Sequence, residues 1–184
     1  MIYPIVAYGD PVLRKKAVAI EKGTVLQELM KNMLATMHHA QGVGLAAPQI
    51  GKNIRLFVVK LGQDPQTKST EYNQKVMINP VLKIDGNVAP SMYEEGCLSI
   101  PNVLIEVSRR EKITVSYFDI QWQPHEEEWT GLSARIIQHE YDHLEGKLHI
   151  DYASPLRRRL LQSRLRAISQ GKVDVPYKMR FSAE

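Results

Sequence analysis

Cysteine is nearly absent from this chain: Cys97 is the only one in 184 residues. No internal disulfide can form, so a packed core must hold the fold, and a reducing cytoplasm is the expected compartment. Also missing is any apolar run near the ~18 residues that a membrane-spanning helix needs, so no membrane association is expected. Residues 1–10 lack the basic start and long apolar stretch of a secretory leader. There is no repeat and no low-complexity tract, and the one glycine-rich stretch, 42–49, lacks a Gly-Lys-Ser/Thr ending, so it is not a phosphate loop. What is present is 43% hydrophobic and 24% charged, the balance of an ordinary globular chain. We expect one compact soluble domain over 1–184, long enough to bury a real core.

The net charge of +4 is unevenly placed. Residues 152–184 hold eight Lys/Arg and two Asp/Glu, a balance of +6 that leaves the other residues at −2. The basic character therefore belongs to the C-terminal segment and bears on partners, without implying sequence-specific nucleic-acid binding.

Along the chain, 1–20 reads as an extended lead-in with a turn at Asp10-Pro11. Val25, Leu26, Leu29, Met30, Met33 and Met37 recur at helical spacing, which predicts a helix over 24–39 with Thr24 as its cap. The next stretch, Gly42-Val43-Gly44-Leu45-Ala46-Ala47-Pro48-Gln49, is backbone that must pass close to something. Gln49 either presents its amide to a ligand or faces water from a tight turn. Strands are expected at 54–60, at 76–84 with a break at Asn79-Pro80, and at 104–107, 112–119 and 126–129. The polar run 62–73 reads as a surface loop. Ser154-Pro155 opens a last helix that ends at Gly171, and 173–181 is extended, an edge strand limited by Pro176. Long crossover helices between strands are lacking. The expected class is therefore α+β, with antiparallel sheets packed around a central helix and flanked by an N-terminal and a C-terminal helix.

That central helix carries the chemistry. His139-Glu140-Tyr141-Asp142-His143 is an H-E-x-x-H. At about 100° per residue, the two histidines share one helix face. They can grip one metal ion, and Glu140 beside them can take a proton from a metal-bound water. Thr130 or Ser133 is placed to cap the helix and Gly146 to end it. Leu132 and Ile136 share the histidine face, so that face should look inward. The bland reading is a polar helix end with no ligand. A third ligand decides between them. Downstream, Glu145 points elsewhere and His149 is poorly spaced, whereas upstream stands Cys97 in Glu95-Gly96-Cys97-Leu98-Ser99. A thiolate and two imidazoles would leave one tetrahedral position open, the pattern of a catalytic ion. These ligand types admit Zn or Fe.

Taken together, the 42–49 stretch, the 95–99 stretch and the 138–143 stretch resemble, in order and separation, the three motifs of peptide deformylases. The resemblance extends to Asp10-Pro11-Val12-Leu13-Arg14 and Asp151-Tyr152, and leaves only the last ~15 residues unexplained. It implies a metallohydrolase that removes the N-formyl group from the initiator methionine of new polypeptides and releases formate. In this reading Cys97, His139 and His143 hold one divalent ion with water in the fourth position. Fe²⁺ is the usual native metal, and Zn²⁺, Ni²⁺ or Co²⁺ are able to substitute. Glu140 is the general base and then acid, and Gln49 and the Leu98 N–H hold the oxyanion. Gly44 lets the substrate backbone pair in strand fashion, and Val43, Tyr93, Leu132 and Ile136 line the methionine pocket. Glu95 and Arg109 form a supporting salt bridge, and Asp142 and Gln138 orient the ligands. Some relatives carry an arginine that touches substrate where this chain has Asn102-Val103-Leu104. The partners implied are N-formylmethionyl nascent peptides and, through the basic C-terminal helix with Arg157, Arg158, Arg159, Arg164 and Arg166, the ribosome. The competing reading is an H-E-x-x-H metal-dependent peptidase, which would ask for a downstream third ligand.

Overall fold

The computed structural model describes residues 1–62, 73–84 and 86–182. Most of the loop expected at 62–73 lies outside them. Nine strands and three α-helices are described. Strands β2 (Gly44–Ala46), β3 (Leu56–Leu61), β4 (Asn73–Ile84), β7 (Lys112–Phe118) and β8 (Pro124–Thr130) form an antiparallel sheet in the order β2-β3-β4-β7-β8. Strands β5 (Pro90–Cys97) and β6 (Ile100–Arg110) form a separate antiparallel pair. Strand β1 (Ile5–Val6) pairs in parallel with β9 (Met179–Arg180). The helices are α1 (Gln27–His39), α2 (Gly131–Leu144) and α3 (Pro155–Ser169).

The five-stranded sheet lies between two apolar layers, and the period-2 alternation of β3 shows why. Phe57, Val59 and Leu61 join a cluster with Ala134, Ile137 and Leu144 of α2. Leu56 and Val58 join one with Met30, Met33 and Met37 of α1. A third cluster seats Val103, Ile105 and Val107 of β6 against Leu148, Ile150, and Leu165 and Ile168 of α3. Helix α2 is thus central, as the sequence predicts.

Several elements differ from expectation. Helix α1 starts at Gln27 with Leu26 at its cap position. Thr24 instead donates its hydroxyl to the Glu21 carbonyl at 2.7 Å, and Val25 is exposed. Thr130 stands at the start of α2, but its side chain makes no capping bond. Strand β4 keeps its break as a register shift between Ile78 and Val81. There Asn79 takes a φ of 49°, and its side chain bonds both the N–H and the carbonyl of Ile20 at 2.8 Å. Strand β5 was not expected at all. Helix α3 follows its reading: Ser154 accepts from the Arg157 N–H at 3.2 Å, and Gly171 has a φ of 73°. Of the extended tail expected at 173–181, only Met179–Arg180 pairs as a strand, with β1 as its partner.

Candidate metal centre

Cys97 closes β5 at a bulge, where the register against β6 shifts after Glu95. The bulge brings the thiol against the inner face of α2. The ligating atoms of Cys97, His139 and His143 all lie within 4.8 Å of one another, and Cys97 Sγ is 3.4 Å from His143 Nε2. The two imidazoles meet nearly edge to face, at 75° with centroids 5.2 Å apart. A thiolate and two imidazoles suit a single divalent ion.

His139 is aimed by a carboxylate. Its Nδ1 sits 2.9 Å from Glu95 Oε2, which leaves Nε2 for an ion. Glu95 is itself clasped by Arg109, whose Nε and Nη2 donate to it at 2.6 and 2.9 Å, and by Arg135 Nη1 at 2.8 Å. Burial would push the Glu95 carboxyl up, but the bonds from His139 and Arg109 outweigh it and hold the group at about 2. The expected salt bridge is therefore present and larger than the sequence suggests. Arg135, missed in the sequence, stands one turn before His139 on the same face; a lone charge in that apolar stripe was the available signal.

Asp142 and Gln138 do not orient the ligands directly, contrary to expectation. Asp142 holds Arg109 Nη1 at 2.9 Å and the Tyr152 hydroxyl at 2.8 Å, so its reach to His139 runs through Arg109 and Glu95. Gln138 Nε2 donates to the Arg110 and Ala134 carbonyls. The other candidate ligands do not join the cluster. His149 Nε2 sits 3.1 Å from the Val103 carbonyl, and Glu145 pairs with Arg55 at 2.6 Å.

Glu140 is buried beside the three ligands, and its Oε2 has no hydrogen-bond partner among the described residues. Burial, only partly offset by the charge of His139, raises its carboxyl to about 7. Gly44 packs so tightly on this carboxylate that any Cβ there would overlap it. Gln49 is buried, not turned to water. Its Oε1 accepts from the Ala46 N–H at 2.8 Å, which directs Nε2 toward Cys97 Sγ at 3.6 Å and Ser99 Oγ at 3.3 Å.

These groups open onto a cavity of about 440 Å³. Val43, Gly44, Tyr93, Leu132 and Ile136, the five expected substrate residues, all line it, together with Gln49, Leu98, His139 and Glu140. Ile136 is buried and forms its floor. Val43, Tyr93 and Leu132 are more than half exposed and form its mouth, so the inward look expected of Leu132 is not met. The lining also includes Asp174, Val175, Pro176 and Tyr177 from the tail, which the sequence did not reveal.

The comparisons agree with this geometry. The family model described as polypeptide deformylase matches residues 2–159. A peptide deformylase of Cytophaga hutchinsonii is 49% identical over 98% of both chains. The crystal structure of peptide deformylase from Thermus thermophilus superposes with a TM-score of 0.81 at 37% identity, covering 94% of this chain and all of that one. A class I type b peptide deformylase from Acinetobacter baumannii bound to Met-Ala-Ser gives 0.75 at 33% identity, covering 83% of this chain and 99% of that one. On the motifs, the fold and these matches, the chain belongs to the polypeptide deformylase family.

Proposed function

We propose that this chain, as a single catalytic unit, hydrolyses the N-formyl group of N-formylmethionyl nascent peptides, with Fe²⁺ held by Cys97, His139 and His143. The observation that carries the reading is the buried Glu140 carboxylate. It has an oxygen with no partner among the described residues, lies beside three convergent ligand atoms, and faces a cavity of about 440 Å³. Bound there, a divalent ion would acidify the attacking water and polarise the formyl carbonyl; Zn²⁺, Ni²⁺ and Co²⁺ would serve in its place.

The chain's own groups do the rest. The methionine side chain enters past Val43, Tyr93 and Leu132 and rests on Ile136. Strand β2 is the edge of its sheet, and among the described residues β5 pairs only with β6. A peptide laid between Gly44 and Glu94–Gly96 therefore meets a strand edge on each side, the Gly42 N–H and the Val43 carbonyl being already bonded to Met37 and Lys60. Glu140 takes a proton from the water that attacks the formyl carbon, and a carboxyl near neutrality can return it to the leaving amine. Charge on the formyl oxygen is met by Gln49 Nε2 and the Leu98 N–H, neutral donors that need no reorganisation. The peptidase alternative is not favoured: the third candidate ligand comes from upstream, and neither Glu145 nor His149 belongs to the convergent group.

No described helix is long and apolar enough to cross a membrane, and we place the chain in the cytoplasm, where formylated chains emerge. All five arginines of α3 are exposed and none has an ion-pair partner among the described residues, which supports docking on ribosomal phosphates. The test of the activity is oxygen-free purification, assay of bound iron, and measurement of formate from formyl-Met-Ala-Ser beside cleavage of internal peptide bonds. Formate release without internal cleavage is expected; the reverse would restore the peptidase.

A further inference from the structure

The family match ends at residue 159, yet the cavity does not. Beyond Gly171 the chain runs extended as a strap back across the molecule. Its far end is pinned. The Ile5 and Ala7 N–H groups donate to the Lys178 and Arg180 carbonyls at 2.8 Å, and Arg180 Nη2 lies 3.3 Å from Asp10. Just before these anchors, Asp174, Val175, Pro176 and Tyr177 line the same cavity as Leu98, Pro101 and Asn102.

Two contacts tie the strap to the groups aimed at the formyl oxygen. The Tyr177 hydroxyl donates to the Leu98 carbonyl at 2.9 Å. The Arg180 guanidinium packs on Gly51, which has a φ of 80° and ends the turn that presents Gln49; a Cβ there would meet Nη2 at 2.6 Å. Burial, with the Cys97 charge, pushes the Tyr177 hydroxyl up to about 12, so it stays a donor at working pH. On its other side the Leu98 side chain packs beside Gly42, where a Cβ would meet Cδ1 at 2.9 Å. Residue 98 is therefore held at its carbonyl and at its side chain, the two groups that flank the Cα next to its N–H.

We propose that the C-terminal strap is a working wall of the substrate cleft, with Tyr177 a positioning residue that fixes Leu98 and so aims its N–H at the formyl oxygen. Val175 and Pro176 then border the path of the residues that follow the methionine. This rests on the deformylase reading. Because the grip acts on a donor that matters most when charge develops, its loss should appear in kcat rather than KM.

The experiment compares kcat and KM of the iron-loaded wild type, Tyr177→Phe and the double variant Val175→Ala/Pro176→Ala, on formyl-Met-Ala-Ser and on formyl-methionine, with bound iron and Tm measured for each. Tyr177→Phe keeps the ring and loses the hydroxyl. Its kcat is expected to fall about three- to tenfold on both substrates, with KM within about twofold and iron unchanged. For the double variant the ratio of kcat/KM, tripeptide over formyl-methionine, is expected to fall about two- to fivefold. A Tyr177→Phe protein with wild-type kcat, or with a change in Tm alone, would overturn the positioning role. An unchanged ratio in the double variant would overturn the wall. Absence of formate from iron-loaded wild type would instead strike the deformylase reading and is seen before any variant is made.

Discussion

Glu140 and Gly44 are one device at the scale of single residues. The carboxylate is held where it is because nothing larger than hydrogen stands at position 44. Gly44→Ala should push Glu140 aside and lower kcat by more than about tenfold, with the fold retained, since the clash falls on a side chain rather than on backbone; near wild-type kcat would refute this. Gln49 carries a different expectation. On the proposed mechanism Gln49→Leu would remove one oxyanion donor, and steady-state kinetics should show kcat reduced about 10²-fold or more with a smaller change in KM. That His139, Glu140 and His143 come together was legible in the sequence, because spacing on a helix fixes which side chains lie side by side; Cys97 was legible only as the lone cysteine within a motif that resembles the family's. Asp142 and Gln138 were misread because which carboxylate meets a histidine depends on the neighbouring strand. Here that carboxylate is Glu95, brought in by β5.

The clasp of Glu95 by Arg109 and Arg135 joins three elements: β5, β6 and α2. It locks the strand bearing Cys97 onto the helix bearing the histidines. Glu95→Ala would leave the buried Arg135 without a carboxylate and Arg109 with Asp142 alone, and should cost about 3–5 kcal/mol in denaturant unfolding, as well as loosening metal retention. A loss under about 1 kcal/mol would mean that the clasp contributes little. Strand β5 itself was invisible in sequence. Most of its residues are exposed, so it lacks the apolar alternation that marked β7, and pairing with β6 is what makes it a strand. Helix α1 was legible through its methionine spacing. Its start was not, because Thr24 spends its hydroxyl on Glu21.

For the whole molecule, the charge clasp sets the acid limit. Glu95 lies at about 2 when folded, below the usual carboxylate value of 4.5. A depressed carboxylate stabilises above its unfolded pKa, and that contribution is lost as pH falls from about 4.5 toward 2. Chemical denaturation across that window should show stability falling with pH, and more steeply for wild type than for Glu95→Gln; parallel curves would contradict the account. The class of fold was legible because long crossover segments were absent. The return of the tail to β1 and the cleft was not, since it rests on contacts between the two ends of the chain. The measurement that bears most directly on the central claim is single-turnover formate release from formyl-Met-Ala-Ser by iron-loaded wild type and Glu140→Ala. The account predicts rapid release by wild type and a loss of about 10²–10⁴-fold in the variant at equal iron content. Equal rates in the two proteins, both fully loaded, would contradict it.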